Sequence, residues 1–184
     1  MPERQTARLR RGRVSLPSTR YFLTLCTHGR EPVLTDPICA ERLLAAWGAL
    51  QGAGDLVLLA ATVMPDHVHA LFVLGDRLPL GRVMAKYKAL ARDLGRVNWR
   101  WQQNGFEHRL RENEDSADYG FYIFMNPYRA RLIKPSEFWP WWLCPEPSRF
   151  AFLGHLINGC PPIEWFERVE QIALRIASGE SPSA

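Results

Sequence analysis

The chain has 184 residues, of which 47% are hydrophobic and 23% are charged, and its formal net charge is +4 at pH 7. This composition is ordinary for a soluble globular domain with a hydrophobic core, and no apolar run approaches the roughly 18 residues of a membrane span. The four cysteines are scattered without a CxxC pair, which argues against a zinc knuckle or a disulfide framework and favours reduced thiols in the cytoplasm.

The N-terminal segment, residues 1–19, is predicted to be a flexible basic arm. It lacks the apolar run that a secretory signal needs. A single glutamate accompanies the arginines of the first twenty residues, which are Arg4, Arg8, Arg10, Arg11, Arg13 and Arg20. A solubilising tail and a nucleic-acid contact explain such a charge cluster equally well.

The next part of the chain alternates between strand and helix patterns. Residues 21–28 form a β-type run, and Pro37 lies in the first turn of a helical stripe that extends to about residue 51. Two further strand patterns, at 56–64 and 67–74, are separated only by a short Pro-Asp turn, which predicts a hairpin.

The second half begins with a helical pattern from Leu80 to about Trp101, followed by a short strand at 106–111. A third helix is predicted at 116–127, with Ser116 as its N-cap. The Trp- and Pro-rich segment after it is predicted to be irregular. A final amphipathic helix follows a Pro-Pro pair, and its apolar face comprises Trp165, Val169, Ile172 and Ile176.

This order of elements, β-α-β-β-α-β followed by a helix, is that of the ferredoxin-like fold. We therefore predict an α+β protein in which an antiparallel sheet carries two helices on one face.

Two histidines interrupt the apolar run MPDHVHALFVL, Met64 to Leu74. Residues i and i+2 of a strand point to the same face, so His67 and His69 project side by side and can reach one ion. Imidazole nitrogen suits zinc, manganese and related metals. Two structural histidines at the mouth of a strand are the alternative, and the motif alone does not decide between them.

A second candidate motif is YIFMNP, in which Tyr122 and Asn126 are four residues apart and share a helix face. A phenol becomes a capable nucleophile once its oxygen is deprotonated or polarised, and an amide oxygen can bind a hard metal ion. Packing of an aromatic-rich helix that ends at Asn-Pro is the alternative. Because the residue before proline avoids helical dihedral angles, Asn126 could also lie just past the helix end.

The second predicted helix is strongly basic. Its cations are Arg82, Lys86, Lys88, Arg92, Arg96 and Arg100. The last four recur every four residues, which is most often a solvated helix face; a surface that tracks phosphates is the alternative.

Together these features resemble a known family. VMPDHVHALFVL resembles the HUH motif (His, hydrophobic, His) of single-tyrosine transposases, and FYIFMNPYRARLI resembles the Tyr-Ile-x-x-Asn-Pro-x-x-Ala segment of their REP-associated branch. The resemblance covers roughly residues 20–143 and includes YFLTLCTHGREPVL, YKALARDL and WQQNGFEHRLRENED. The chain departs from the family after the Asn-Pro segment, where FWPWWLCPEPSRF lacks the usual serines.

The resemblance implies a catalytic domain at 20–143 and a C-terminal extension at 144–184. It implies that a divalent ion, Mg²⁺ or Mn²⁺, is bound by His67, His69 and Asn126, and that Tyr122 attacks a phosphate of single-stranded DNA. The products are a 5′-phosphotyrosyl link and a free 3′-OH. The expected DNA is a hairpin of a repetitive palindrome. The residues expected to contact DNA are Arg10, Arg11, Arg13, Arg82, Lys86, Lys88, Arg92, Arg96, Arg100 and His108.

Two alternatives remain at this point. A domesticated protein could bind hairpin DNA without strand transfer, and an unrelated HxH metal hydrolase would make no use of Tyr122. The expected location is the cytoplasm, in association with the nucleoid and without a membrane, and the chain is expected to act as a monomer or a homodimer.

Overall fold

The computed structural model describes residues 15–91, 99–103 and 105–178. Its strands are β1 (Arg20–Cys26), β2 (Leu56–Val63), β3 (His67–Leu74), β4 (Phe106–Arg109) and β5 (Trp142–Leu143). Its α-helices are α1 (Pro37–Gly52), α2 (Leu80–Leu90), α3 (Ser116–Arg129) and α4 (Trp165–Ser178). No helix among the described residues is long and apolar enough to cross a membrane.

The five strands form one sheet in the order β4-β1-β3-β2-β5, and every neighbouring pair is antiparallel. The first four strands lie in the order expected of the βαββαβ arrangement, so the predicted ferredoxin-like α+β fold is confirmed.

Strand alternation gives the sheet two different faces. One face buries residues such as Leu23, Val68 and Phe72 together with the apolar sides of α1 and α2. The other buries Phe22 and Leu71 under α3, α4 and the segment between them. The prediction that two helices cover one face is therefore correct, and the helix that follows β4 covers the opposite one.

The second helix is shorter than predicted. It ends at Leu90, and residues 92–98, which include Arg92 and Arg96, lie outside the described residues. Arg100 and Trp101 are not helical, because the chain here pairs with the end of β1: the His28 amide donates to the Arg100 carbonyl and Trp101 bridges to Thr27. The prediction of a helix to residue 101 is wrong in this last part, since tertiary pairing overrides the local periodicity.

The third helix begins and ends differently from the prediction. Asp115, not Ser116, is the N-cap, and its carboxylate accepts a hydrogen bond from the Ala117 amide. The helix continues through Pro127 to Arg129, so Asn126 lies inside it. The segment predicted as irregular contributes the two-residue strand β5 to the sheet, whereas the final helix begins close to where the Pro-Pro pair predicts it.

Candidate active site

The two histidines at the start of β3 converge on one point. His67 and His69 lie on the sheet face that α3 covers, and their Nε2 atoms are 3.0 Å apart. His69 is 4% exposed and the His67 side chain 15% exposed, so the pair lies inside the protein at the end of the strand. The arrangement confirms the prediction that strand periodicity places both rings side by side.

The other ring nitrogen of each histidine is held by a neighbour. Asp66 places a carboxylate oxygen 2.6 Å from Nδ1 of His67, and its second oxygen accepts from Arg30 at 3.2 Å. Thr24 of β1 places its hydroxyl 2.8 Å from Nδ1 of His69, because Thr24 and His69 are directly opposed in the β1–β3 pairing. Such partners fix the orientation of a metal-binding imidazole. The Asp66 carboxylate only accepts, so it favours the His67 tautomer whose Nε2 carries the lone pair, whereas the Thr24 hydroxyl can orient His69 in either tautomer.

Electrostatics favour neutral imidazoles. Burial lowers the pKa of His69 well below its ordinary value, and His67 and Arg30 lower it further. Burial also lowers the pKa of His67, although the Asp66 carboxylate opposes this effect. A neutral imidazole is the form that binds a metal, so both rings are ready to act as ligands at neutral pH.

The geometry of the pair fits a divalent ion. Two histidine nitrogens that bind one ion at about 2.0–2.1 Å are separated by about 3 Å, close to the spacing observed here. Within the described residues no three His, Cys, Asp or Glu side chains form a metal-binding group. A third protein ligand from this part of the chain must therefore be of another type, such as an amide or hydroxyl oxygen.

Tyr122 lies beside the histidines on α3. Its ring meets that of His69 edge-on, with centroids 5.4 Å apart, and it also contacts Phe22. Tyr122 is half-buried, and its hydroxyl forms no hydrogen bond to any described residue. A phenol in this position is available to a substrate at the edge of the histidine pair.

Asn126 lies one turn beyond Tyr122. It is 4% exposed, and its side-chain nitrogen has no hydrogen-bond partner among the described residues. An unpaired buried amide is unfavourable, which indicates a ligand that the amide would satisfy. Turned one way, the group presents its oxygen to a cation; turned the other way, it donates to a phosphate oxygen.

A network at the opposite end of α3 orients the helix. Ser116 accepts a hydrogen bond from Arg20 of β1 at 2.7 Å. Glu114 is 5% exposed and accepts from the Arg111 amide, the Tyr119 hydroxyl and the His108 ring. Burial opposes the ionisation of Glu114, but these hydrogen bonds outweigh it and lower its pKa. The first residue of α3 thus lies beside the first residue of β1, and the helix runs from there towards the histidines.

This network engages His108, which the sequence predicts as a DNA contact. Its ring stacks on Tyr119 as well as bonding to Glu114, and its side chain is only 20% exposed. Its contacts are those of a residue that joins β4 to α3, and DNA contact at this position stays a prediction.

The predicted basic stripe divides between the two ends of the sheet. Lys86 forms an ion pair with Asp55, immediately before β2, and Arg82 is exposed on the same helix. Lys88 donates to the Gln102 carbonyl at 3.0 Å, and Arg100 bonds to His28 at 2.8 Å, so both lie at the end of β1 near the histidines. Arg10, Arg11, Arg13, Arg92 and Arg96 lie outside the described residues.

Sequence reasoning missed four residues that shape the site. They are Thr24, Arg30, Asp66 and Glu114. Asp66 adjoins the histidine motif, and a carboxylate next to a candidate ligand is a recognisable signal. The roles of the other three depend on strand register and on loops that bring distant segments together, for which the sequence offers no local signal.

Comparisons with known proteins show what the chain is similar to. Residues 15–104 match the model of the family described as IS200-like transposases. A REP-associated tyrosine transposase of Escherichia coli is 28% identical over 108 residues, which are 58% of this chain and 60% of that protein. The matched region therefore spans less than two thirds of the relative.

A solved structure, described as a REP-associated tyrosine transposase bound to a REP hairpin, has the same fold. It superposes with a TM-score of 0.59 over 90% of this chain and 91% of the other, at 19% sequence identity.

Proposed function

We propose that this chain nicks single-stranded DNA and joins the cut end to another strand. The premise is that the predicted resemblance to the REP-associated tyrosine transposases is confirmed. The proposal rests mainly on one observation: Tyr122, whose hydroxyl bonds to no described residue, lies beside two histidines whose Nε2 atoms are 3.0 Å apart.

His67 and His69 would hold a divalent ion, Mg²⁺ or Mn²⁺, with the Asn126 amide oxygen as the third ligand. When bound, such an ion polarises a phosphate and offsets the charge that develops on it. Asp66 and Thr24 keep the imidazoles in position throughout, because each holds the ring nitrogen that faces away from the pair.

Tyr122 would be the nucleophile. Its phenolic oxygen forms a bond to phosphorus while the bond from phosphorus to the 3′ oxygen of the preceding nucleotide breaks. The leaving 3′ oxygen ends as a hydroxyl, and the tyrosine proton balances that gain. The covalent 5′-phosphotyrosyl link conserves the energy of the broken ester, so attack by another 3′-OH can reverse the step and join two strands.

The expected substrate is a DNA hairpin with single-stranded flanks. One relative is a REP-associated transposase, and the solved structure is described as bound to a REP hairpin. Arg30, Lys88 and Arg100 supply positive charge around the ends of β1 and β3, where a strand that reaches Tyr122 would pass. Phosphate contacts of this type provide affinity without sequence specificity.

The test uses a hairpin with single-stranded tails, taken from the palindromic repeat nearest the gene for this chain and incubated with the protein and Mn²⁺. A 3′-labelled oligonucleotide should become covalently attached to the protein, and a 5′-labelled one should yield a shorter product that a polymerase can extend. Tyr122→Phe should reduce adduct formation by about 1,000-fold or more. Tyr87→Phe, on the other face of the sheet, is the matched control and should react normally.

Two other results would each support a different function. Cleavage that persists in Tyr122→Phe would contradict the tyrosine mechanism and support an HxH metal hydrolase. Tight binding of the hairpin without any cleavage in Mg²⁺ or Mn²⁺ would support a domesticated DNA-binding protein.

A further inference from the structure

Phe106, at the start of β4, is an exposed aromatic residue next to the candidate active site. It is 49% exposed, and β4 is an edge strand. Single exposed apolar residues are common on protein surfaces, so the exposure by itself carries no meaning. The position of this residue relative to the histidines is what distinguishes it.

Strand register places Phe106 in one row with the site. Phe106 is paired with Thr24, and Thr24 is paired with His69. Directly opposed residues of antiparallel strands point to the same face. Two strand spacings separate Phe106 from His69, which corresponds to about 10 Å between their backbones.

The Phe106 ring packs against Phe22 on the same sheet face. It meets Phe22 edge-on with centroids 6.1 Å apart, and Phe22 in turn stacks on His69 at 5.4 Å. The preceding Gly105 lets this segment approach β1 closely, because a Cβ there would lie 2.8 Å from Leu25 and 3.0 Å from the Thr24 carbonyl. The aromatic surface is therefore held at a set distance from the histidine pair.

The charges at this end of the sheet indicate what kind of ligand could lie against the Phe106 ring. Arg30 and Arg100 lie at the same end of the sheet, and both are exposed. An exposed aromatic ring at an end of the sheet that also carries cations suits single-stranded DNA, which offers bases for stacking and phosphates for the cations.

We propose that Phe106 stacks against an unpaired base of the DNA strand that presents its phosphate to His67, His69 and Tyr122. The inference rests on the proposed function, and it makes Phe106 a positioning residue: it places the strand so that one phosphate lies at the histidines. Stacking tolerates every base, so the contact fixes the position of the strand more than its sequence.

The test measures binding and contact without requiring cleavage. The probe is a strand of about 12 thymidines, within the size range of single-strand binding sites, that carries 5-iodouracil and is mixed with the full-length protein. Irradiation should crosslink the probe to Phe106, as located by mass spectrometry of the digested adduct. Phe106→Leu should weaken binding about 5-fold or more, whereas Phe106→Trp should bind within about 2-fold of the original chain.

Val57→Ala is the matched control, since Val57 is 45% exposed but lies at the opposite end of the sheet. It should bind the probe like the original chain. Unchanged binding by Phe106→Leu, crosslinks only at other residues, or no binding of the probe at all would each overturn the proposal. Failure of the proposed function looks different: Tyr122 would then form no adduct with hairpin DNA, while the stacking measurements would be unaffected.

Discussion

The two faces of the central sheet are built from the same strands but differ in chemistry. On the face covered by α1 and α2, strand β3 contributes Val68, Ala70, Phe72 and Leu74, all at most 1% exposed and part of one apolar cluster. On the face covered by α3, the same strand contributes His67 and His69 at its beginning and Leu71 further along. Within β3, the polar side chains are confined to one end of one face.

This difference shows how a small fold combines stability with a reactive site. Buried polar groups are costly unless each finds a partner, so they are concentrated where Thr24, Asp66 and a bound ligand can satisfy them. Apolar residues fill most of the rest of that face, which is closed by Trp165, Val169 and Ile172 of α4. The core on the other face is then mostly apolar and supports the sheet from that side.

Substitutions at neighbouring residues of β3 test the difference between the two sheet faces most directly. His67→Ala should remove one ligand, abolish Mn²⁺ binding and lower the rate of DNA cleavage by about 1,000-fold or more, because both the charge and the position of the phosphate are lost. Hairpin binding should be largely retained, since it depends mainly on phosphate contacts. Calorimetric titration with Mn²⁺ and the adduct assay measure the two effects.

The control for that experiment is the next residue, which faces the other way. Val68→Ala should lower the free energy of unfolding by about 2 kcal/mol and leave Mn²⁺ affinity unchanged. A His67→Ala protein that still binds Mn²⁺ and cleaves DNA would contradict the assignment of the metal site. Loss of hairpin binding in the folded variant would show that His67 has another role.

Substitution of Thr24 tests whether its hydrogen bond to His69 supports the metal site. Thr24→Val removes the hydroxyl that holds Nδ1 of His69 and should weaken Mn²⁺ binding about 10-fold or more, as loss of such supporting partners does elsewhere. Thr24→Ser keeps the hydroxyl and should restore most of the affinity. Equal affinities for the two variants would show that the hydrogen bond does not support the site.

Acidification should act on the polar end and spare the apolar face. Burial lowers the pKa of both histidines in the folded chain, so the unfolded chain binds more protons as the pH falls below the ordinary histidine value of about 6.5. The metal-free protein should therefore lose about 1 kcal/mol of stability between pH 7.5 and pH 5.5, as measured by urea unfolding. The carboxylates Asp66 and Glu114 have lowered pKa values, and their contribution is lost only at more acidic pH.

A histidine control separates this effect from general titration. His69→Gln should reduce the pH dependence of stability, because it removes the imidazole whose pKa burial lowers most clearly. If His69→Gln had the same pH dependence as the original chain, His69 would not be the source of the lost stability.

The sequence predicts the type and order of most elements and the facing of the site residues. Alternation places His67 and His69 on one face, and the spacing of four places Tyr122 and Asn126 on one side of a helix, because both periods are local properties of the backbone. Register is not local. That Thr24 and Phe106 come to lie in one row with His69 depends on how three strands slide past one another, which no single segment specifies.

The same limit explains the errors. The helical pattern continues past Leu90, but the pairing of Trp101 with Thr27 and the bond from His28 to Arg100 take the chain out of the helix. The cap of α3 differs by one residue because Asp115 and Ser116 are both good caps, and Ser116 is engaged by Arg20. Trp142 and Leu143 join the sheet only because β2 leaves an edge for them.

The smallest expected effect compares one hydroxyl on each face. Tyr87 is fully buried and donates to the Leu43 carbonyl at 3.2 Å, so Tyr87→Phe removes one buried hydrogen bond and should lower the free energy of unfolding by about 1 kcal/mol. The Tyr122 hydroxyl forms no such bond within the part of the chain that the structure describes, so Tyr122→Phe should change stability by less than about 0.5 kcal/mol. Urea unfolding of both variants, read beside the adduct assay, should give opposite results: Tyr87→Phe is less stable and fully active, and Tyr122→Phe is equally stable and inactive. A large loss of stability in Tyr122→Phe would mean that this phenol is part of the core, and the absence of an adduct could then no longer be attributed to a missing nucleophile.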